Sequence, residues 1–426
     1  MERDVGIEVY LTHTPGFGGR IKASPEDFVV EEIPVMPPRE DGGRFTVAWI
    51  RTRNWETNRL VRAMSRELRM SRKRISFAGT KDKRAITTQL FQFDATPEEI
   101  KGMRIRDVDV LDVFQTSKEI EIGSLRGNRF DIVVRDTKSA KDEAERLSAA
   151  TAKELELAGG YPNFFGMQRF GSIRPITHIV GRHMVRGDFK AAVDAYVANP
   201  IEGEGEEAFE LRTQLERSGD YAEALKLYPD VMNFEKAMLN HLVKYPEDHV
   251  GALKQLPFNL LMMFVHGYQS FMFNRILSER IRSGVPIGRP IEGDVLLPIG
   301  RDGLPDDDRL IPVTDQNIEK AGKQVGNGKA LVSGVLFGSE STFAGGTMGE
   351  IERSVVDSEG LKPQDFTLPA MPRLSSRGTR RAVAVRLPKM EMEHAEGSVR
   401  MKFELPKGCY ATVLLREFMK VDPLDA

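Results

Sequence analysis

Apolar and polar positions change texture along the chain. Before about residue 180, short apolar runs alternate with turn residues. Residues 28–33 are extended in character and are stopped by Pro34, Pro37 and Pro38. Residues 75–78 and 90–93 read as strands, and 119–122 with 130–134 read as a hairpin around a turn at 123–128. Helical spacing takes over at Leu60, Val61, Met64 and Leu68, with Thr57-Asn58 as the N-cap. It returns over 140–158, ending at Gly159-Gly160. Residues 188–282 are predominantly helical in pattern, with the longest helix over 262–282. Residues 284–349 mix Gly, Pro and Asp with short apolar runs, predicting small strands. Residues 358–381 read as a long connection, 400–405 as a strand, and 410–419 as a strand or a helix. Strands and helices mix without regular βαβ alternation, which predicts an α+β fold.

Composition adds bounds. A chain of 426 residues predicts two or three packed units. Hydrophobic residues at 40% and charged residues at 29% are those of a globular protein. A single cysteine, Cys409, excludes an internal disulfide framework and a cysteine-rich zinc site. No run of 18 apolar residues is present, and the first residues do not resemble a secretory signal. The expectation is a cytoplasmic protein with no membrane association.

Net charge hides an asymmetry. Lys+Arg total 61 against 63 Asp+Glu. Between Arg51 and Arg84, however, twelve basic residues face three acidic ones, a local excess of nine. Residues 202–210 hold five glutamates and no base. A basic field on a near-neutral chain suggests a defined polyanion-binding face. Arg59, Arg62, Arg66 and Arg69 fall opposite the apolar stripe of the 57–68 helix, a spacing suited to tracking phosphates. An ordinary solvated helix face has the same pattern.

Most familiar motifs fail on spacing. Gly326-Asn-Gly-Lys329 lacks the gap of a phosphate-cradling loop. His178 and His183 have no cysteine partners to suggest a metal site, and no dinucleotide fingerprint is present. One segment stands apart: Ser76-Phe-Ala-Gly-Thr-Lys-Asp-Lys-Arg-Ala-Ile-Thr-Thr-Gln89. It sets Asp82 among Lys81, Lys83 and Arg84, where neighbouring positive charge favours the charged form of a carboxylate. Such a group is a candidate nucleophile or base; a loop aspartate that caps or pairs locally is the plainer alternative. A second cluster, Asn163-Phe-Phe-Gly-Met-Gln-Arg-Phe-Gly171, sets aromatic rings beside amide edges. That is what a flipped base needs, and core packing explains the phenylalanines equally well.

The segment Phe77-Ala-Gly-Thr-Lys-Asp-Lys83, with Ala85 and Gln89, resembles the nucleophile motif of the TruD family of tRNA pseudouridine synthases. The 163–171 cluster resembles that family's second signature. Lys22-Ala-Ser-Pro-Glu-Asp-Phe28, Gly123-Ser-Leu-Arg-Gly-Asn-Arg-Phe130, Gln269-Ser-Phe-Met-Phe-Asn274 and Phe403-Glu-Leu-Pro-Lys-Gly-Cys-Tyr-Ala-Thr412 also fit, in the expected order. Cys409 stands where a serine is common, and Tyr410 takes an aromatic place that phenylalanine also holds. The resemblance implies a pseudouridine-synthase catalytic domain with a mixed, largely antiparallel sheet and flanking helices, carried by 1–184 and 379–426. A family-specific α+β (TRUD) domain would be inserted over 185–378. It implies isomerisation of uridine to pseudouridine at position 13 of tRNA. Asp82 would be the catalytic aspartate with Lys22 as the cation near it. Phe28, Asn163 and Tyr410 would contact the uridine, and Phe165 would line the pocket. Arg59, Arg62, Arg66 and Arg69 would grip the RNA backbone. The chemistry involves no redox step, so no cofactor and no metal is expected. The partner is tRNA; the oligomeric state is left open, and a monomer is compatible with it.

Overall fold

The computed structural model describes residues 1–171, 173–300 and 303–421. It divides into two compact units: a sheet unit, Thr12–Glu154 with Leu387–Ala426, and a helical unit, Met1–Leu11 with Leu155–Arg386. The chain first forms β1 (Phe28–Pro34), β2 (Phe45–Arg53), α1 (Thr57–Glu67), β3 (Ile75–Phe77), β4 (Ile86–Phe93), α2 (Pro97–Gly102), β5 (Val108–Thr116), β6 (Leu125–Arg135) and α3 (Lys141–Leu157). The helical unit adds β7 (Tyr161–Pro162), α4 (Thr177–Val185), α5 (Phe189–Val197), α6 (Glu206–Ser218), α7 (Tyr221–Leu227), α8 (Asn233–Lys244), α9 (His249–Leu253) and α10 (Phe258–Arg282). It continues through β8 (Val295–Pro298), β9 (Ile311–Pro312), α11 (Ile318–Gly326), β10 (Ala330–Leu336), α12 (Gly346–Ser358), β11 (Thr379–Ala382) and β12 (Ala384–Val385). Back in the sheet unit come β13 (Glu391–Ala395), β14 (Ser398–Pro406) and α13 (Ala411–Met419).

The large sheet runs β13-β14-β6-β1-β4-β2-β5, with β3 also on β4. Only β1 and β4 pair in parallel; the other pairs are antiparallel. One edge of β4 belongs wholly to β2, which pairs from Ile86 to Phe93. The other edge is shared: β1 covers Ile86–Thr88 and β3 covers Phe91–Phe93. Because β1 is parallel and β3 antiparallel to β4, they run toward each other near Gln89 and both part from β4 there, β1 staying paired with β6 as far as Pro34. The loop after β3, residues 78–85, starts from this split.

Both faces of β2 and β4 are covered. Ala48, Ile50, Phe91 and Phe93 pack under Leu60, Val61 and Met64 of α1 and Ile100 of α2. Val47 and Leu90 face Phe114, Ile120, Leu125 and Ala78. Burying each of the three α1 side chains contributes roughly 1.5–3 kcal/mol, which exceeds the helix's own propensity. Gly127 lets β6 lie against β14: a Cβ there would stand 2.1 Å from Leu405 O.

In the helical unit α4 crosses α10 at Gly181, where a Cβ would stand 2.0 Å from Phe264 O. The strands form an antiparallel sheet, β11-β10-β8-β9, and a β12-β7 pair. The pairing of β10 with β11 joins residues on either side of position 379 in one sheet. No helix among the described residues is long and apolar enough to cross a membrane.

The α+β class and most elements follow the sequence pattern. The hairpin expected at 119–134 does not form. Residues 119–122 are irregular, and β6 lies between β1 and β14. The amide of Ile120 is satisfied by a side chain instead of a ladder, donating to Gln92 Oε1 at 2.8 Å. The N-cap of α1 is Glu56 and not Thr57-Asn58: its carboxylate accepts from the amides of Asn58 and Arg59, both at 2.8 Å. The helix ends at Glu67, so Arg69 lies beyond it with φ +49°. Residues 411–419 are helical, with Tyr410 at the N-cap position.

Candidate active site

The 78–85 loop is pinned at both ends. Ala78 O accepts from Gly123 N at 2.7 Å, and Gly79 O accepts from Gln89 Nε2 at 3.1 Å. Lys81 N donates to Thr57 Oγ1, in the first turn of α1, at 2.8 Å. Lys81 Nζ turns inward to Glu32 Oε2 at 2.7 Å, and this pair is nearly fully buried, at 6% and 0% side-chain exposure. Glu32 is where β1 parts from β4, so the ion pair fastens the loop to the split in the sheet. At the far end Ala85 O accepts from Asn54 N at 2.9 Å, and Arg84 Nη2 donates to Ala23 O at 2.9 Å.

Asp82 projects from this loop to Lys22, with Oδ2 3.1 Å from Nζ. The same ammonium stands 4.3 Å from the centroid of the Phe28 ring. Lys22 holds a left-handed backbone, φ +56°, a conformation that costs a non-glycine residue about 1–2 kcal/mol. The turn that follows is set by Ser24 and Asp27. Ser24 N and Oγ both donate to Asp27 Oδ2 at 3.0 Å, and Arg135 binds Asp27 Oδ1 at 2.7 Å. Burial raises the Asp27 carboxyl's pKa, but the Arg135 and Ser24 hydrogen bonds outweigh it and hold the group below the usual carboxylate range. Phe28 itself is buried, with one ring face toward Lys22 and its neighbour Phe130 edge-on at 6.2 Å. Phe403 then stacks on Phe130 at 5.5 Å. An ion pair, a half-exposed carboxylate and an aromatic wall thus meet at the N-terminal ends of β1 and β4.

The structure therefore brings Lys22, Phe28 and Asp82 together. Tyr410 lies in the same unit, half-buried at the head of α13. Asn163 and Phe165 form a second group, in the helical unit. Asn163 follows β7, and its amide N donates to Val383 O at 2.9 Å. Phe165 is fixed by Asn274 of α10, which accepts from Phe165 N at 2.8 Å and donates to Phe165 O at 3.0 Å. Arg381, on β11, lies over the Phe165 ring at 4.0 Å and donates to Asn163 Oδ1 at 2.7 Å. Lys81, Glu32 and Arg381 were missed in the sequence as site residues. Arg381 is 218 positions from Asn163, a separation no local pattern reports.

The exposed face of α1 carries Arg59, Arg62 and Arg66, and Arg69 is exposed just beyond it. Arg59 leans over the Trp55 ring at 5.4 Å. Among the described residues no ion pair engages Arg62, Arg66 or Arg69, whereas Arg53 and Arg74 are paired with Glu26 and Asp94. Since Lys81 bonds to the first turn of α1, the arginines run away from the Asp82 loop along a helix about 16 Å long.

This constellation sets a lysine-paired carboxylate against an aromatic ring, on a loop beside the split in a mixed sheet. A sequence model of the family tRNA pseudouridine synthase D (TruD) matches residues 4–418, and the chain belongs to that family of uridine-to-pseudouridine isomerases. A Methanococcoides burtonii protein named probable tRNA pseudouridine synthase D is 41% identical over 433 residues, covering 100% of this chain and 98% of that one. A Methanosarcina mazei protein of the same name is 41% identical over 434 residues, with the same coverage. The crystal structure of the M. mazei TruD protein superposes with a TM-score of 0.86, at 41% identity, covering 100% of this chain and 98% of that chain.

Proposed function

We propose that this protein isomerises uridine to pseudouridine at position 13 of tRNA, in the cytoplasm, with Asp82 as the nucleophile. The observation that carries the reading is the Lys22–Asp82 ion pair against the Phe28 ring, on the loop whose sequence resembles the family's nucleophile motif. In the reaction the C1′–N1 bond breaks, the uracil turns, and a C1′–C5 bond forms while C5 gives up its hydrogen. Asp82 serves this in one of three ways: attack at C1′, attack on the ring, or removal of the C2′ proton to give a glycal. Lys22 orients the carboxylate in each. The target nucleoside must first leave its stack, at a cost of a few kcal/mol. The freed base must then be kept from water and from escape, the task we assign to Phe28, Phe165 and Tyr410, with Asn163 holding the base edge.

In this reading Arg59, Arg62, Arg66 and Arg69 hold tRNA phosphates. The catalytic domain is 1–184 with 379–426, and 185–378 is the inserted domain. The test is release of tritium from [5-³H]uridine in a tRNA transcript. Asp82→Asn is expected to abolish release while tRNA affinity stays within about tenfold, as for a residue used in chemistry and not in binding. Full activity in that variant overturns the assignment.

A further inference from the structure

The Asn163 carboxamide is gripped at both ends by groups of fixed polarity. A guanidinium only donates and a backbone carbonyl only accepts. Arg381 Nη2 donates to Asn163 Oδ1 at 2.7 Å, and Arg381 Nε donates to Asn163 O at 3.2 Å. On the other end Asn163 Nδ2 donates to Ala382 O at 2.9 Å. Turning the amide over would set its NH₂ against the guanidinium and its oxygen against a carbonyl, losing both bonds in a side chain that is only 6% exposed. Arg381 is itself held flat by the rings of Phe165 at 4.0 Å and Phe273 at 5.8 Å. The orientation of this amide is thus dictated by its neighbours and not by a ligand.

Orientation decides which base the amide can read. After these bonds Oδ1 keeps one lone pair and Nδ2 keeps one N–H. For a base seated in one pose, an acceptor beside a donor matches uracil, which offers N3–H next to a carbonyl. Cytosine reverses the pattern, with an N3 acceptor next to a 4-amino donor, and needs the amide turned over. We infer that Arg381 is the specificity-determining residue of this site, because it locks the Asn163 carboxamide in the orientation that accepts uracil and refuses cytosine. The inference rests on the reading of Asn163 as a contact to the target base.

The test uses two tRNA transcripts, one with uridine and one with cytidine at position 13, and equilibrium binding in the Asp82→Asn background so that nothing turns over. With Arg381 present, uridine is expected to be preferred at least about tenfold, the worth of one bidentate base contact. Arg381→Met is expected to cut the preference at least about threefold without abolishing it, since Ala382 O still accepts from Asn163 Nδ2 and keeps part of the bias. Arg381→Lys keeps a cation but loses the planar fork, and is expected to cut the preference at least about threefold. It also covers the case in which the Met variant does not fold. An unchanged uridine preference in either folded variant, or equal weakening toward both transcripts, overturns the inference and leaves Arg381 a packing residue. Asn163→Ala separates the two levels. If it leaves the affinity for both transcripts unchanged, the underlying reading of Asn163 fails. If it abolishes the preference while Arg381→Met keeps it in full, only the role of Arg381 fails.

Discussion

Lys22 carries two opposing costs, and they make it a sensitive probe. Its left-handed backbone strains the native state, while its ammonium pairs with Asp82 across 3.1 Å. Lys22→Gly removes both. Relief of the strain contributes about 1 kcal/mol, and loss of a partly exposed pair costs about 0.5–1 kcal/mol. The melting temperature should therefore change little, while kcat for tritium release falls at least about tenfold, because the carboxylate loses its orienting partner. A variant with full kcat would show that Lys22 serves the fold alone. Lys81 behaves differently. Its pairing with Glu32 is buried on both sides, so Lys81→Met strands a carboxylate in the interior and should cost about 3–5 kcal/mol in chemical denaturation. Replacing both, as Lys81→Met with Glu32→Gln, should return a large part of that loss. Activity should stay low even then, since the remaining ties, Gln89 to Gly79 O and Thr57 to Lys81 N, hold the loop's backbone without the buried side-chain anchor next to Asp82. Recovery of both stability and activity in the double variant would refute the anchoring role.

At the scale of elements, α1 joins the charge of the surface to the site, and it separates stability from binding cleanly. Its apolar stripe is buried and its arginines are not. Arg59→Gln, Arg62→Gln and Arg66→Gln together should leave the melting temperature nearly unchanged. The slope of log affinity for tRNA against log salt should become shallower by about 2–3, one phosphate contact per arginine. A slope unchanged between 50 and 200 mM salt would remove these residues from the RNA interface. Glu56→Ala, by contrast, should cost about 1 kcal/mol, because it uncaps two amides at once. That helix was legible in the sequence through Leu60, Val61 and Met64, whose spacing is local. Its cap was not, since glutamate is an uncommon cap and only the fold shows its carboxylate turned onto the amides of Asn58 and Arg59. The false hairpin at 119–134 has a similar origin. The alternation at Ile120 and Ile122 is real, with Ile120 buried and Ile122 75% exposed, but Gln92 supplies the hydrogen bond that a strand would have made. Lys22, Phe28 and Asp82 were legible as candidates because they lie in two short motifs, Lys22 with Phe28 in one and Asp82 in the other. Arg381 and Glu32 were not, because their roles come from strands that meet only after folding.

Across the whole molecule the two units carry titratable groups of opposite design, and acid should separate them. In the helical unit His178 is sealed between Phe170 and Phe271. Burial, helped by Arg182 and opposed by Asp4, pushes its pKa down to about 4 from 6.5. Burial also lowers His183 and His266 of the same unit. Between pH 6.5 and 4 the unfolded segment binds more protons than the folded one, so stability rises with pH and is lost on acidification, by roughly 3 kcal/mol for His178 alone. In the sheet unit the perturbed groups are chiefly carboxylates. Burial raises the pKa of Asp27, Glu154 and Glu417, but each is held below its ordinary range by hydrogen bonds or cations: Arg135 and Ser24 for Asp27, Thr14 and His13 for Glu154, and Arg416 and Lys420 for Glu417. A depressed carboxylate contributes stability at all pH values above about 4 and loses it only below. Among the shifted groups of that unit, His394 is the histidine, lowered by burial but less enclosed, and its effect is correspondingly smaller. Hydrogen exchange, corrected for intrinsic rates, should therefore show α4 and α10 losing protection between pH 6.5 and 4.5 while β1, β6 and β14 keep theirs. His178→Phe retains a ring in the aromatic stack and removes the titration, so it should flatten that response without changing exchange at pH 7. Earlier loss of protection in the sheet unit, or an unaltered profile in the variant, would show that acid acts through other groups.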